Sequence, residues 1–142
     1  MNTRETEAAL AALTQWYQTL DEAALQHIEQ FYAQDAWFKD PFHELSGSAA
    51  IRAVFQRMFA HLQQPRFEFH ERIVQGNQAF VTWSFHFGVR GKPLSIRGSS
   101  HLRFCAPGRV HYHRDYWDVA EELLARVPGL GWMYNTFLKR MV

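Results

Sequence analysis

The clearest pattern in the chain runs from Ala79 to Val89, where the sequence reads AFVTWSFHFGV. Large apolar side chains alternate with polar ones, which is the period of a β-strand with one buried face. We therefore predict a long strand that packs an aromatic face against a core. The apolar set is Val81, Trp83, Phe85 and Phe87, and the polar set is Thr82, Ser84 and His86.

The segments around this strand continue a sheet. Turn signals at residues 76–77 (Gly-Asn) and 91–93 (Gly-Lys-Pro) place an antiparallel neighbour on each side. These neighbours are predicted at 66–74 and 95–105, and a last strand at 109–118. The result is an antiparallel meander of four strands.

Alternation also assigns faces to the last two strands. Gly98 within a strand is predicted to mark a bend or bulge. The face shared with the core in the third strand is Ile96, Gly98, Ser100, Leu102 and Phe104. The corresponding face of the last strand is His111, His113, Asp115 and Trp117.

The first half of the chain has the pattern of helices. Apolar residues at spacings of three and four predict a first helix. Asp21 caps a second helix, and Gly47-Ser48 starts a third that ends before Pro65. Residues 31–41 are extended, with a short hairpin arm at 43–45. The stripe of the first helix is Leu10, Leu13, Trp16, Tyr17 and Leu20.

This order of elements predicts an α+β fold. N-terminal helices pack on a curved antiparallel sheet and enclose a cone-shaped pocket. Residues 1–142 form one domain, with a helical tail at about 119–142 that covers the mouth of the cone or a dimer edge. Aromatic residues make up 15% of the chain, including 12 Phe, and much of this excess is expected to line the pocket.

Composition excludes several classes of protein. The chain of 142 residues is 47% hydrophobic and 20% charged, which rules out a disordered chain. Its formal net charge of +1 argues against a nucleic-acid binder.

The same composition sets the expected compartment. A single cysteine, Cys105, excludes an intramolecular disulfide. Residues 1–5 are too polar for a targeting peptide, and no segment has the length of a membrane span. We expect a soluble cytoplasmic protein without a membrane partner.

His113 and Asp115 are the first candidates for chemistry. They alternate on one strand, so they share a face. If that face lines an apolar pocket, Asp115 can act as a general base and His113 as its acid partner. The alternative is an Asp–His pair that only ties the sheet together.

A metal site is the weaker interpretation of the same strand. His111, His113 and Asp115 are three possible ligands, but alternate residues on a strand lie about 7 Å apart, which is poor geometry for one ion. We therefore predict no metal.

Asp40 is the second candidate acid. It precedes Pro41, between Phe38 and Phe42. An Asp before Pro commonly forms a turn by bonding local backbone, so the residues alone favour a structural role.

The polar face of the sheet is expected to bind a second copy of the chain. Tyr and Arg are enriched in protein interfaces, and the balanced charge disfavours nucleic acid. This face carries Arg97, His101, Arg103, Tyr112, Arg114 and Tyr116.

Four segments resemble the NTF2-like superfamily. They are FYAQDAWFKDP at 31–41, SGSAAIR at 46–52, HLRF at 101–104 and GRV at 108–110. Within the superfamily the chain is similar to ketosteroid isomerases and to SnoaL-like cyclases. The resemblance implies the cone-shaped α+β fold, a pocket between helices and sheet, and a homodimer.

The resemblance also implies roles for individual residues. The isomerase base falls on Asp40, and the oxyanion tyrosine of the first helix falls on Trp16, with Tyr17 one step off the face. The protonated oxyanion Asp falls on Ser100, and of two supporting tyrosines one is Phe55 and the other Tyr32. SnoaL-like cyclases use an acid on a late strand, which supports Asp115.

Two functional hypotheses follow. One is a cofactor-independent isomerase, cyclase or hydratase that uses Asp40 or Asp115 as base on a small hydrophobic ligand, with His113, Ser100 or Trp16 as opposing donor. The other is a binding or protein-interaction module without turnover. The predicted ligand-binding residues are Trp16, Tyr32, Phe55, Trp83, Phe85, Phe87, Ser100, Leu102 and Trp117.

Overall fold

The structure is a computed structural model that describes residues 1–126, 128–133, 136–137 and 139–141. Its first elements are helical. Asn2 and Glu5 form a capping box at the start of the first helix, which satisfies two free backbone N–H groups. Asp21 caps the second helix as predicted, by accepting from the Ala24 amide. The helices are α1 Thr3–Gln18, α2 Glu22–Leu25 and α3 Ser48–His61, with a 3₁₀ turn at Ile28–Gln30.

Six strands form one sheet. Their spatial order is β2-β1-β6-β5-β4-β3. Neighbours pair antiparallel except β1 and β6, which are parallel. The strands are β1 Tyr32–Lys39, β2 Glu44–Ser46, β3 Gln63–Gln75, β4 Gln78–Val89, β5 Lys92–Cys105 and β6 Arg109–Tyr116.

The predicted α+β architecture is confirmed, as are the four-stranded meander and the short arm. The sheet adds one parallel pair, between β1 and β6, to the antiparallel pairing that was predicted. The chain leaves β1, passes through α3 and the whole meander, and returns beside β1 with β6. The sheet is therefore mixed, open and curved.

The helices cover the concave face of this sheet. α1 packs on β3 and β4, and α3 packs on β1 and β3. The aromatic face predicted for β4 is buried, from Val81 at 1% exposed to Phe85 at 9%. Gly47 precedes α3 with a φ of +103°, a backbone conformation that favours glycine.

Two sequence predictions about irregularities are wrong. Gly98 marks no bulge, because β4 and β5 pair in unbroken register past it. The bulge lies in β6 instead. Arg103 pairs with Tyr112 and Phe104 with Val110, so the extra residue is His111. Val110 therefore takes the buried position that alternation had assigned to His111.

The predicted helical tail begins with a segment that side-chain hydrogen bonds hold against β5. Glu122 is only 5% exposed, and its carboxylate accepts from Arg97 Nε at 3.1 Å and from Arg126 at 3.3 Å. Arg126 also donates to the Ser95 carbonyl at 2.8 Å, so these contacts tie the segment to β5. Its elements are α4 Val119–Glu122, a 3₁₀ turn at Leu124–Arg126, α5 Leu130–Met133 and α6 Lys139–Met141.

Of the predicted tail, residues 127, 134, 135, 138 and 142 lie outside the described residues. Among those described, no helix is both long and apolar enough to span a bilayer.

Candidate active site

A cavity of about 750 Å³ lies between the helices and the concave face of the sheet. This volume is in the range of small-molecule sites. Nearly all of its wall is apolar, and aromatic rings from α3, β3, β4 and the link between β6 and α4 supply much of it. Of the predicted site residues, ten line it: Asp40, Phe55, Trp83, Phe85, Phe87, Ser100, Leu102, His113, Asp115 and Trp117.

Two predicted ligand-binding residues lie behind the wall. Trp16 donates its indole N–H to the Ala24 carbonyl at 3.0 Å and stacks on Phe31. Tyr32 is fully buried and reaches the site only through other side chains. α1 faces the cavity with Leu13, Thr14 and Tyr17, so the prediction that Trp16 lies on this face is wrong.

Asp115 and His113 form the polar centre of the cavity. His113 is 4% exposed, and its Nε2 lies 2.6 Å from Asp115 Oδ1. The Ser100 hydroxyl donates to the same oxygen at 2.5 Å. Oδ1 therefore takes two hydrogen bonds, whereas no described residue bonds Oδ2.

The other nitrogen of His113 is held by a buried pair of tyrosines. Tyr32 Oη lies 2.7 Å from His113 Nδ1, and the hydroxyls of Tyr17 and Tyr32 bond each other. Burial raises the pKa of Tyr17 and that of Tyr32 well above their ordinary value of 10. Both hydroxyls therefore keep their protons and can donate.

One assignment of protons that satisfies every contact has a neutral His113. Tyr17 donates to Tyr32, and Tyr32 donates to Nδ1 of a neutral His113. His113 then carries its proton on Nε2 and donates it to Asp115. In this assignment the carboxylate of Asp115 is held in the apolar cavity by two neutral donors, His113 and Ser100.

Asp40 is held in a different way. Its Oδ1 accepts from the backbone amides of Phe42 and His43 at 2.8 and 2.7 Å. The ring of His43 lies 2.9 Å from Oδ1 and 3.1 Å from Oδ2. Asp40 lines the cavity, yet its carboxylate is occupied by the turn that it forms, as expected for an Asp before Pro.

Asp40 and Asp115 also share a second surface. A more open and polar groove of about 790 Å³ is lined by both carboxylates, together with Lys39, Arg114 and Asp118. Because both acids line both spaces, they stand between the apolar cavity and a polar one.

The sequence did not indicate every residue of the wall. Tyr17 belonged to the predicted helical stripe, but periodicity does not tell which buried residue of a stripe faces a cavity. Phe67 and Phe69 of β3 also line it, as do Leu123 and Leu124 beyond α4. The tail thus covers part of the cavity, one of the two places predicted for it.

The three suggested metal ligands, His111, His113 and Asp115, do not lie together in the structure. His111 is absent from the cavity wall because the bulge displaces it. Among the described residues, no group of three His, Cys, Asp or Glu side chains has an arrangement suited to a metal ion.

A family model for the SnoaL-like domain matches residues 13–113. No individually curated protein matches the chain. The matched segment ends two residues before Asp115.

Several solved structures share the fold. An LEH-like epoxide hydrolase from M. tuberculosis has a TM-score of 0.70 at 16% identity, covering 84% of this chain and 83% of its own. AclR of Streptomyces galilaeus, a proposed hydroxylase, has a TM-score of 0.69 at 16% identity, covering 98% and 94%. A Catenulispora acidiphila protein with a ketosteroid isomerase-like fold, in complex with trimethylamine, has a TM-score of 0.69 at 16% identity, covering 83% and 90%.

At such identities these likenesses show the fold alone. The family model is the stronger finding, since it spans well over half of the chain, from α1 to the middle of β6. Fold and family model agree, and the chain therefore belongs to the SnoaL-like domain family.

Proposed function

We propose that the protein is a cofactor-independent isomerase- or cyclase-type enzyme that acts on a small hydrophobic ligand, with Asp115 as general base. One observation carries the proposal. Asp115 presents a carboxylate to an apolar cavity, with Oδ1 bonded twice and Oδ2 bonded by no described residue. A base must be within reach of the proton that it removes, and Oδ2 is the oxygen with a vacant position.

The proton cycle needs only this chain's own groups. Asp115 Oδ2 takes a proton from a carbon of the ligand, and the electron pair of the broken C–H bond moves to a neighbouring acceptor atom. Ser100 and His113 keep Oδ1 bonded meanwhile. The neutral carboxylic acid then returns the proton to another position of the ligand, which balances an isomerisation.

The opposing donor is best supplied by Tyr17. The indole of Trp16 is committed to Ala24, and Ser100 and His113 are committed to Asp115. The Tyr17 hydroxyl lies in the cavity wall and can turn from Tyr32 to a ligand oxygen. Donors aimed at developing negative charge are among the largest contributions to catalysis.

The proposal is tested with nitrobenzisoxazole, a flat apolar carbon acid. A base removes its ring C–H proton, the N–O bond breaks, and a coloured cyano-nitrophenolate forms without any cofactor. We expect saturable turnover above the rate in buffer. Saturable binding with no turnover by the protein would support a binding module instead.

Mass spectrometry of ligand released from freshly purified protein is the companion measurement. We expect an apolar molecule that fills about 750 Å³. Recovery of a highly charged metabolite in stoichiometric amount would contradict the hydrophobic substrate class.

We further propose a homodimer through the outer face of the sheet. Aromatic rings form a continuous layer there: Trp37 stacks on Tyr112, and Phe80 stacks on Tyr116. Arg103 and Arg114 lie over the Tyr112 and Tyr116 rings at 4.8 Å. Ile73 and Phe80 are 68% and 40% exposed.

Phe80→Asp is expected to convert the dimer into a monomer in sedimentation equilibrium, because it buries a charge in an apolar contact. Phe42→Asp is the matched control, since Phe42 is 63% exposed but lies at the cavity. A wild-type protein that sediments as a monomer would contradict the proposed dimer.

A further inference from the structure

Gly98 lies directly opposite Trp83 in the pairing of β5 with β4. A Cβ atom on Gly98 would lie 2.5 Å from Cη2 and 2.7 Å from Cζ2 of the Trp83 ring, and 3.0 Å from Cβ of Trp117. The indole therefore occupies the space that any side chain at position 98 would need. A glycine inside a strand often marks such a close approach.

The Trp83 indole also determines the direction of the hydrogen bond between Ser100 and Asp115. The Trp83 indole N–H donates to Ser100 Oγ at 2.8 Å, and an indole can only donate. Ser100 has a single hydroxyl proton, so it accepts from Trp83 and donates that proton to Asp115.

We propose that Gly98 and Trp83 are positioning residues that hold Asp115 through Ser100. They keep Oδ1 bonded to Ser100 in addition to His113, so that Oδ2 is the oxygen left to the ligand. The inference rests on the proposed role of Asp115 as base. It assigns a purpose to a glycine that neither turns the chain nor interrupts the sheet.

Trp83→Phe is the primary test, because it keeps an aromatic ring in the wall and removes the indole N–H donor. We expect kcat for nitrobenzisoxazole to fall about three- to tenfold. Loss of a hydrogen bond to the charged form favours protonation. The acidic limb of the pH–rate profile should therefore move to higher pH, by about half a unit to one unit.

Trp117→Phe is the matched control, since Trp117 lines the same cavity and donates no hydrogen bond in the described structure. We expect it to change KM while the acidic limb stays at the wild-type pH. Ser100→Ala should reproduce the limb shift of Trp83→Phe, Ser100→Thr should restore the wild-type limb, and the Trp83→Phe/Ser100→Ala double variant should be no worse than Ser100→Ala.

Gly98→Ala tests the same series of contacts at Gly98, the residue farthest from Asp115 in that series. It keeps the indole N–H but pushes the ring away, and should also shift the acidic limb to higher pH. The inference is overturned if Trp83→Phe and Trp117→Phe behave alike, or if the Trp83 and Ser100 effects multiply. Turnover that survives Asp115→Asn would overturn the proposed function itself, whereas turnover that requires Asp115 with an unshifted limb in Trp83→Phe overturns only the positioning role.

Discussion

Asp115→Asn is expected to lower the turnover of nitrobenzisoxazole by about 100- to 10,000-fold, the range that a positioned general base contributes. The amide keeps the size of the carboxylate and can still accept from Ser100 and His113 at one oxygen. It has no lone pair of useful basicity to take a carbon-bound proton. The loss should appear in kcat, with a KM close to that of the wild type.

Two variants make this result specific. Asp35→Asn removes an exposed carboxylate of β1 away from both cavities and should leave the rate unchanged. Asp40→Asn keeps a side-chain oxygen for the turn amides of Phe42 and His43. If Asp40→Asn instead abolished turnover while Asp115→Asn retained it, the base would be Asp40.

The buried tyrosine pair is expected to make the protein lose stability steeply in alkali. Both Tyr17 and Tyr32 have their pKa raised by burial. An unfolded tyrosine titrates near pH 10, so above that pH the unfolded chain releases two protons that the folded chain retains. The contribution of the pair is complete below pH 10 and is lost as the pH rises.

The size of this effect follows from proton linkage. Each tyrosine lowers the free energy of unfolding by at most about 1.4 kcal/mol per pH unit above 10, so the pair lowers it by at most about 3 kcal/mol per unit. Denaturant unfolding at pH 8, 10, 11 and 12 measures it. Tyr17→Phe should remove about half of the slope, even though it is less stable than wild type at pH 8.

Tyr112→Phe is the control, because Tyr112 lies on the outer face of the sheet against Trp37. It should keep the full alkaline slope. A phenolate absorbance titration gives a second reading: two of the five tyrosines should ionise only as the protein unfolds. Titration of all of them in the folded protein near pH 10 would contradict the burial of the pair.

The strands of the meander could be predicted because one face of each packs on the cavity wall. In β4, alternation placed Trp83, Phe85 and Phe87 correctly. In β6 it failed at His111, because the bulge adds one residue and shifts every residue before it to the other face. His113 and Asp115 lie after the bulge, so their shared face was predicted correctly.

The sequence pattern does not predict contacts between segments that are distant along the chain. The parallel pairing of β1 with β6 joins Phe38 to His113, and no local signal encodes it. On α1, Trp16 and Tyr17 are both buried, and the choice between them depends on Phe31 and Ala24, which draw Trp16 behind the wall. The family resemblance has the same limit, since it assigns the oxyanion tyrosine of the first helix to Trp16.

Because Glu122 fastens the tail to β5, the residues that close the cavity are held independently of the residues that hold Asp115. Leu123 and Leu124 close part of the cavity, and they follow a carboxylate clasped by Arg97 and Arg126. This segment lies outside the region that defines the family. Exchanging Leu123 and Leu124 would therefore change the shape of the cavity while the bonds from Ser100 and His113 to Asp115 stay in place.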